Sequence, residues 1–321
     1  MTQPRGTSRR PLSLALQGGG AFGAFTWGVL DRLLEEESLV LDCVSGSSAG
    51  AVNAALLAEG LRRDGRAGAR ICLDDFWTKL AKTARSSFIM ASRRANMAFD
   101  VSSRVLSPYV LNPFNLNPLR DLLASSIDFP SLRADPPLRL VVGTTRVSDG
   151  SLRVFRETEI DLDVVLASAC LPLIHHAVEI DGESYWDGGY AANPPLLQLV
   201  GASAADHVLL VRILPTTGDE HPTSSPDIVK RLNQITFNTP LQHDIDALMA
   251  LKRLSDSGST ETAAGRKLSD LRLDQLSAED WVPDLSRRSL LDLDTAFLLD
   301  LKAKGRMAGS HWLAGDAEPM R

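Results

Sequence analysis

Three short stretches of this 321-residue chain hold residue types whose spacing can do chemistry. Gly46-Ser47-Ser48-Ala49-Gly50 is G-x-S-x-G, with Ser48 at its centre. Between a strand and a helix, this pentapeptide reads as a nucleophile elbow. Small neighbours tolerate the strained backbone, and the central hydroxyl stands at a helix N-terminus, where the dipole favours developing negative charge. The same residues also suit a plain strand-to-helix turn with Ser48 as N-cap. Gly18-Gly19-Gly20-Ala21-Phe22-Gly23 fits G-x-G-x-x-G. Such a loop offers backbone N–H groups to an anion, either a pyrophosphate or the oxyanion of acyl transfer. Asp187-Gly188-Gly189 ends a short apolar segment at a sharp turn. A carboxylate fixed there could take a serine proton directly if burial beside Tyr185 and Trp186 raises its pKa from about 4. It could equally satisfy its own turn.

A serine nucleophile needs a base. The six histidines are His175, His176, His207, His221, His243 and His311, and none lies in an evident catalytic loop. His175 and His176 read as structural or partly exposed. His207 opens a strand, His221 sits in a linker, and the other two lie near the C-terminus.

The elements that must position these groups follow from periodicity. Leu12–Leu16 reads as a buried strand, and apolar residues from Phe22 to Leu34 then recur at helical spacing. Leu39–Val44 is a second strand, followed by the serine turn and a small-residue helix from Ala49 to about Arg63. Leu138–Val147 is a strand with a hairpin return, and Ile160–Ala169 a helix. Val178–Trp186 forms two short strands about Asp181-Gly182, and Val208–Leu214 another buried strand. Asn117 and Pro118 suit the N-cap and first turn of a short helix. Repetition of strand, tight turn and helix predicts an α/β fold with a parallel sheet. Residues 215–227 have linker composition; 228–254 and 292–313 read as helical, and 255–288 as polar and mobile.

Composition narrows the class. Hydrophobic residues make up 44% and charged residues 23%, enough for a packed core, and the net charge of −6 argues against nucleic acid as main partner. Three cysteines without C-x-x-C suggest a reduced compartment. The sequence shows neither a secretory leader nor an apolar run of spanning length, so the expectation is a cytoplasmic protein, with peripheral membrane contact as an option. That option rests on residues 77–99. There Lys79, Lys82, Arg85, Arg93 and Arg94 interleave with Phe88, Ile89, Met90, Met97 and Phe99, with no acidic residue. They form either a solvated face over a core stripe or a basic, apolar cap for an anionic lipid surface.

Taken together, the glycine loop, the elbow and the late D-G-G resemble the patatin-like phospholipase family. Residues 167–195, with Pro172 and Asn193-Pro194, also resemble the family's block leading into D-G-G. The likeness extends over about 11–213. It implies a patatin-like three-layer fold, a central mostly parallel sheet flanked by helices, over 11–215. A flexible basic tail (1–10) precedes this, and a linker with a mostly helical extension (216–321) follows. The resemblance makes Ser48 the nucleophile and Asp187 its direct base, without histidine. Backbone N–H groups of Gly19 and Gly20, with Gly18 and Ala21 as further donors, become the oxyanion hole; Gly46, Gly50, Gly188 and Gly189 support the two turns. The implied reaction is hydrolysis of a fatty acyl ester through an acyl-serine, with no metal or cofactor. Two departures stand out. Phe22 occupies a position where many members carry Arg or Lys, and the extension past 215 is unexplained by the motifs. Two other readings are a patatin-like adaptor without activity and a Rossmann-type oxidoreductase. Asp42 stands near the acidic position of the latter, but its strand runs on into a serine elbow.

Overall fold

The computed structural model describes residues 10–86, 107–218, 221–256 and 262–315. The basic tail up to residue 9 and residues 87–99 of the basic stretch lie outside the described residues.

Eight strands form one mixed, mostly parallel sheet. They are β1 (Arg10–Leu16), β2 (Leu39–Gly46), β3 (Arg139–Arg146), β4 (Leu152–Arg156), β5 (Val178–Ile180), β6 (Glu183–Asp187), β7 (His207–Arg212) and β8 (Arg272–Ser277). Their order is β5-β6-β3-β2-β1-β7-β8, with β4 also paired to β3. Strands β3, β2, β1, β7 and β8 run parallel, while β4 and β6 run antiparallel to β3. Parallel strands place their carboxyl ends on one side, where α/β sites collect. The glycine loop leaves β1 there, and the serine turn leaves β2.

Alternate residues of the strands feed two cores, as a two-residue period requires. Leu12, Leu14, Leu16, Val44, Leu140, Val142, Leu209 and Val211 face one layer, which holds α1 (Gly23–Leu33), α2 (Ala49–Ser86) and the C-terminal helix. Ala15, Cys43, Val141, Val208 and Leu210 face the other, built of the helices at Leu196–Ala202 and Ser225–Asp256. Five further helices lie between: α3 (Pro108–Leu111), α4 (Pro118–Ser126), α5 (Phe129–Ala134), α6 (Leu162–Ser168) and α7 (Leu196–Ala202). Asn117 caps α4 through a bond from the Leu119 N–H, with Pro118 in the first turn, as its sequence indicates. Helix α2 is broken at Asp64 and Gly65, the latter at φ +56°, which matches the expected end near Arg63.

The C-terminal third is woven into the same body. Helix α8 (Ser225–Asp256) covers one face of the sheet, α9 (Ala263–Asp270) leads into β8, and α10 (Thr295–Leu313) lies on α1. This corrects the reading of 255–288 as a polar, mobile stretch, because its residues 272–277 are a paired strand. Leu273, Asp274 and Leu276 are buried in it. Helices α1 and α10 meet backbone to backbone: a Cβ on Gly28 would come within 2.0 Å of the Lys302 carbonyl oxygen, and one on Gly305 within 2.1 Å of that of Phe25. Ten of the eleven residues of α1 are buried, since α10 covers the face that the sheet leaves open. Asp31 of α1, deeply buried, pairs with Arg70 of α2 (2.7 Å) and with Arg306 of α10, which also holds Glu35 at 2.9 Å. Among the described residues, no helix is long and apolar enough to cross a membrane.

At the far edge, Asp274 is wholly buried yet ionised. Burial opposes its charge. Hydrogen bonds from His207 (2.8 Å), Arg272 (2.9 Å) and Trp312 (2.8 Å) outweigh that and hold the carboxyl at about 2. A pKa below the unfolded value adds stability above about pH 4 that is lost as pH falls toward 2, on the order of 2 kcal/mol for such a shift. Asp274→Ala is expected to lower the urea midpoint at pH 7 by a margin that shrinks as the pH drops below 4. A margin independent of pH would contradict this account.

Candidate active site

Ser48 sits two residues past the end of the strand at Gly46, in the left-handed region at φ +54°. A non-glycine residue is held there only when its surroundings fix it. Several contacts do so. The Ser48 N–H donates to both the carbonyl and the hydroxyl of Ser168 at 3.0 Å, and the Ser168 hydroxyl donates to the Gly143 carbonyl at 2.7 Å. The neighbouring Ser47 hydroxyl donates to the Ala192 carbonyl at 2.6 Å. The two motif glycines make the turn sterically feasible. A Cβ on Gly46 would strike Gly50 at 2.4 Å, and a Cβ on Gly50 would lie 2.0 Å from the Leu16 carbonyl oxygen. The elbow geometry, not a conventional N-cap, is what the backbone adopts.

Asp187 ends β6 with its side chain fully buried. Its backbone is fastened on both sides: its N–H donates to the Cys170 carbonyl at 2.8 Å, and its C=O accepts from Thr145 Oγ1 at 2.8 Å. Oδ1 accepts the Gly189 N–H at 2.8 Å. Oδ2 has no hydrogen-bond partner among the described residues. Burial pushes this carboxyl up to about 7; the Ser48 hydroxyl and the Gly189 N–H pull the other way. Ser48 therefore faces the carboxyl, although no hydrogen bond of normal geometry yet joins it to Oδ2.

Register explains the meeting. Strand β2 pairs with residues 139–142 of β3 and stops at Gly46, opposite Val142. Strand β6 takes over the same edge of β3, with Asp187 opposite Thr144. Residues 48 and 187 are thus delivered to one point by two strands that share a partner. Both D-G-G glycines are required there: a Cβ on Gly188 would lie 2.0 Å from the Gly143 carbonyl oxygen, and one on Gly189 would enter the Phe237 ring at 2.4 Å.

The glycine loop closes over the elbow, and its N–H groups divide by role. The Gly18 N–H donates to Asn193 Oδ1 at 2.7 Å, and that of Ala21 to the Leu290 carbonyl at 2.7 Å. Among the described residues, no acceptor takes the N–H of Gly19 or Gly20. The expectation that Gly18 and Ala21 also serve an oxyanion thus meets an observed use of both donors elsewhere. Gly18 has a steric role instead, since a Cβ there would lie 2.4 Å from the Ser47 carbonyl oxygen and 2.6 Å from Ser48 Cβ. Asn193, which sequence reasoning noted only as part of a block, is the clasp of the site. Its Nδ2 also donates to the carbonyls of Gly18 (3.2 Å) and Phe237 (3.1 Å). Gln17 does similar work, with Oε1 accepting from the N–H groups of Ile213 and Leu214 at 2.8 and 2.9 Å. A lone Asn or Gln carries no sequence signal for such bonds.

Phe22 is buried, edge-on to Phe297 of α10 at 6.1 Å, and Arg288 lies over the Phe297 ring at 4.9 Å. The loop position that lacks a cation is the one on which the C-terminal helix packs. No histidine enters the hydrogen bonds of Ser48 or Asp187 among the described residues. His176 bonds the Pro108 carbonyl, and His207 bonds Asp274.

A family model described as patatin-like phospholipase matches residues 14–200. The chain belongs to the patatin-like phospholipase family. Members of this family are lipid acyl hydrolases, and the matched span contains the glycine loop, the serine elbow and the D-G-G turn. No curated protein sequence matches the chain. Among solved structures, VipD from Legionella pneumophila is 15% identical, over 98% of this chain and 68% of that one, with a TM-score of 0.42. A chain of the heterodimeric ExoU-SpcU complex, from the type III secretion system of Pseudomonas aeruginosa, is 17% identical over 98% of this chain and 54% of its own, with a TM-score of 0.41. The type III effector protein ExoU is 20% identical over 96% and 75%, with a TM-score of 0.32.

Removing the clasp tests how this patatin-like site is held. Asn193→Ala strands the Gly18 N–H and two carbonyls in a buried place, each worth about 1–3 kcal/mol unless water enters. It is expected to lower stability by about 2–4 kcal/mol in urea unfolding. A change under about 0.5 kcal/mol would mean that the loop is held by packing alone.

Proposed function

We propose that this chain is a lipid acyl hydrolase working through a Ser48–Asp187 dyad. The observation that supports it best is the pairing of a serine on a left-handed elbow with a buried carboxyl whose Oδ2 lacks a partner and whose pKa is lifted to about 7. A carboxylate near its ordinary pKa is a weak base for a hydroxyl; one lifted to neutrality is far better matched. Asp187 accepts the Ser48 proton as Oγ attacks the ester carbonyl carbon. The carbonyl oxygen gains the electron pair as an oxyanion and accepts from the Gly19 and Gly20 N–H groups, aimed at it in advance. Collapse of the intermediate expels the alcohol, which takes the proton from Asp187. A water molecule then attacks the acyl-serine, with Asp187 again accepting and returning one proton. The Gly189 N–H on Oδ1 fixes the carboxyl and leaves Oδ2 as the oxygen available to accept a proton. The substrate class is a fatty acyl ester, including phospholipid.

Ser48→Ala is expected to abolish labelling by a fluorophosphonate and hydrolysis of a short-chain p-nitrophenyl ester. If Ser48→Ala retained labelling, another nucleophile would be at work. Hydrolysis by the unaltered chain should rise about tenfold per pH unit below 7 and level off above it, because the ionised base is the active form. A profile flat from pH 5 to 8 would remove Asp187 from this role.

Asp187→Asn carries a second, opposite expectation. A carboxyl whose pKa is raised on folding opposes folding once ionised; its favourable contribution is present below about pH 4 and lost as pH rises through about 7. Asp187→Asn should therefore lose activity by a factor of roughly a hundred or more and yet melt higher than the parent at pH 8. A lower melting temperature at pH 8 would overturn this.

A further inference from the structure

Helix α3 and the loop that joins it to α4 turn apolar side chains outward. Tyr109 is 56% exposed, Val110 63%, Phe114 84% and Leu116 70%, and Leu173 on the 169–177 loop adds 58%. Single exposed apolar side chains are ordinary; five on two joined loops are a patch. The loops are joined by three contacts. The Tyr109 ring stacks on His176 at 4.0 Å, His176 Nε2 lies 3.2 Å from the Pro108 carbonyl, and the Ala177 N–H donates to the Tyr109 hydroxyl at 3.2 Å.

The loop at the centre of the patch is uncharged and partly closed on itself. Residues 107–119 contain no charged side chain, in a chain that is 23% charged. Asn112 Oδ1 accepts from the Leu116 N–H and its Nδ2 donates to the Leu116 carbonyl, both at 2.9 Å; the Asn115 N–H donates to the Asn112 carbonyl at 2.9 Å. Pro108, Pro113 and Pro118 have no N–H to satisfy. A tip that pairs part of its own backbone gives up fewer hydrogen bonds to water on leaving it. The patch also connects to the catalytic strand. Cys170 holds the Asp187 N–H through its carbonyl at 2.8 Å and donates its thiol to the His176 carbonyl at 3.0 Å.

We propose that Tyr109, Val110, Phe114, Leu116 and Leu173 form an insertion surface that seats the chain on the hydrocarbon boundary of a phospholipid bilayer, beside the active centre. A lipid surface fits better than a folded partner. The five partly exposed side chains offer roughly 600 Å², below the ~800 Å² that each side of a standard protein interface buries. A bilayer takes a narrow apolar wedge and needs no matching surface. The inference rests on the lipid-substrate reading for its purpose, but it is a claim about binding and not about the dyad.

The test uses the full chain carrying Ser48→Ala, which leaves vesicles intact, sedimented with phosphatidylcholine vesicles. Binding is expected to change less than about twofold between roughly 0.05 and 0.5 M NaCl. Phe114→Ser should weaken it by a factor of roughly thirty, and Leu116→Ser by a similar factor. Both positions are exposed, so the melting temperature should not move. With Ser48 present, Phe114→Ser should keep the rate on a soluble p-nitrophenyl ester and lose hydrolysis of vesicle lipid. Absence of ester hydrolysis in the unaltered chain would overturn the hydrolase reading alone, and vesicle binding would still decide this one. No vesicle binding by the Ser48→Ala chain, or binding that salt abolishes and Phe114→Ser leaves intact, would overturn the insertion surface. Concentration-dependent dimers that disappear with Phe114→Ser, without vesicle binding, would overturn it in favour of a second copy of the chain.

Discussion

One edge of β3 is shared by two strands, and the rest of the site depends on that sharing. Strand β2 occupies the edge as far as Val142, and β6 occupies it from Thr144. The first ends in the serine turn and the second in Asp187. Backbone ladders are stiff, so the relative position of the two side chains is fixed to within the play of a few hydrogen bonds. The antiparallel arrival of β6 matters here. It lets an aspartate at a strand's end meet a serine at another strand's end, which two parallel neighbours could not bring so close without a longer connection.

Close approach is the second constraint. The β1 loop, the β2 turn and the β6 turn meet with so little space that glycine is required at Gly18, Gly50 and Gly188 for lack of room. The same constraint recurs where α10 lies on α1 at Gly28 and Gly305. There it makes the C-terminal helix part of the layer that also holds α1 and α2. Phe22, Phe297 and the bond from the Ala21 N–H to the Leu290 carbonyl then tie the glycine loop to that helix. A cation at position 22 would be buried under α10, so an aromatic residue there is consistent with the helix that covers it.

Two buried aspartates show how environment divides one residue type. Asp274 receives three donors and stays ionised well below the usual range. Asp187 receives one backbone donor, its Oδ2 has no partner among the described residues, and burial pushes it up to about 7. The difference lies in the number and charge of the donors. Full satisfaction makes a stable anchor between β7, β8 and α10, and incomplete satisfaction leaves a group ready to exchange a proton.

Local patterning determined much of this. The G-x-S-x-G turn, the glycine loop and the D-G-G turn each follow from short-range sterics, and the strand and helix periods around them follow from two- and 3.6-residue repeats. The elbow serine and the D-G-G carboxyl were therefore legible as residue types before any geometry. Their meeting was not, because it depends on which strands share β3, and pairing order is a long-range property. The division of labour among the loop N–H groups was equally hidden: Asn193 and Leu290 take two of them from positions 175 and 269 residues away in the chain, leaving those of Gly19 and Gly20. The strand at 272–277 escaped notice because Arg272, Asp274 and Gln275 make it look polar. Its Asp274 is buried and held ionised by Arg272 of the same strand together with His207 of β7 and Trp312 of α10, and only tertiary contact can supply the last two.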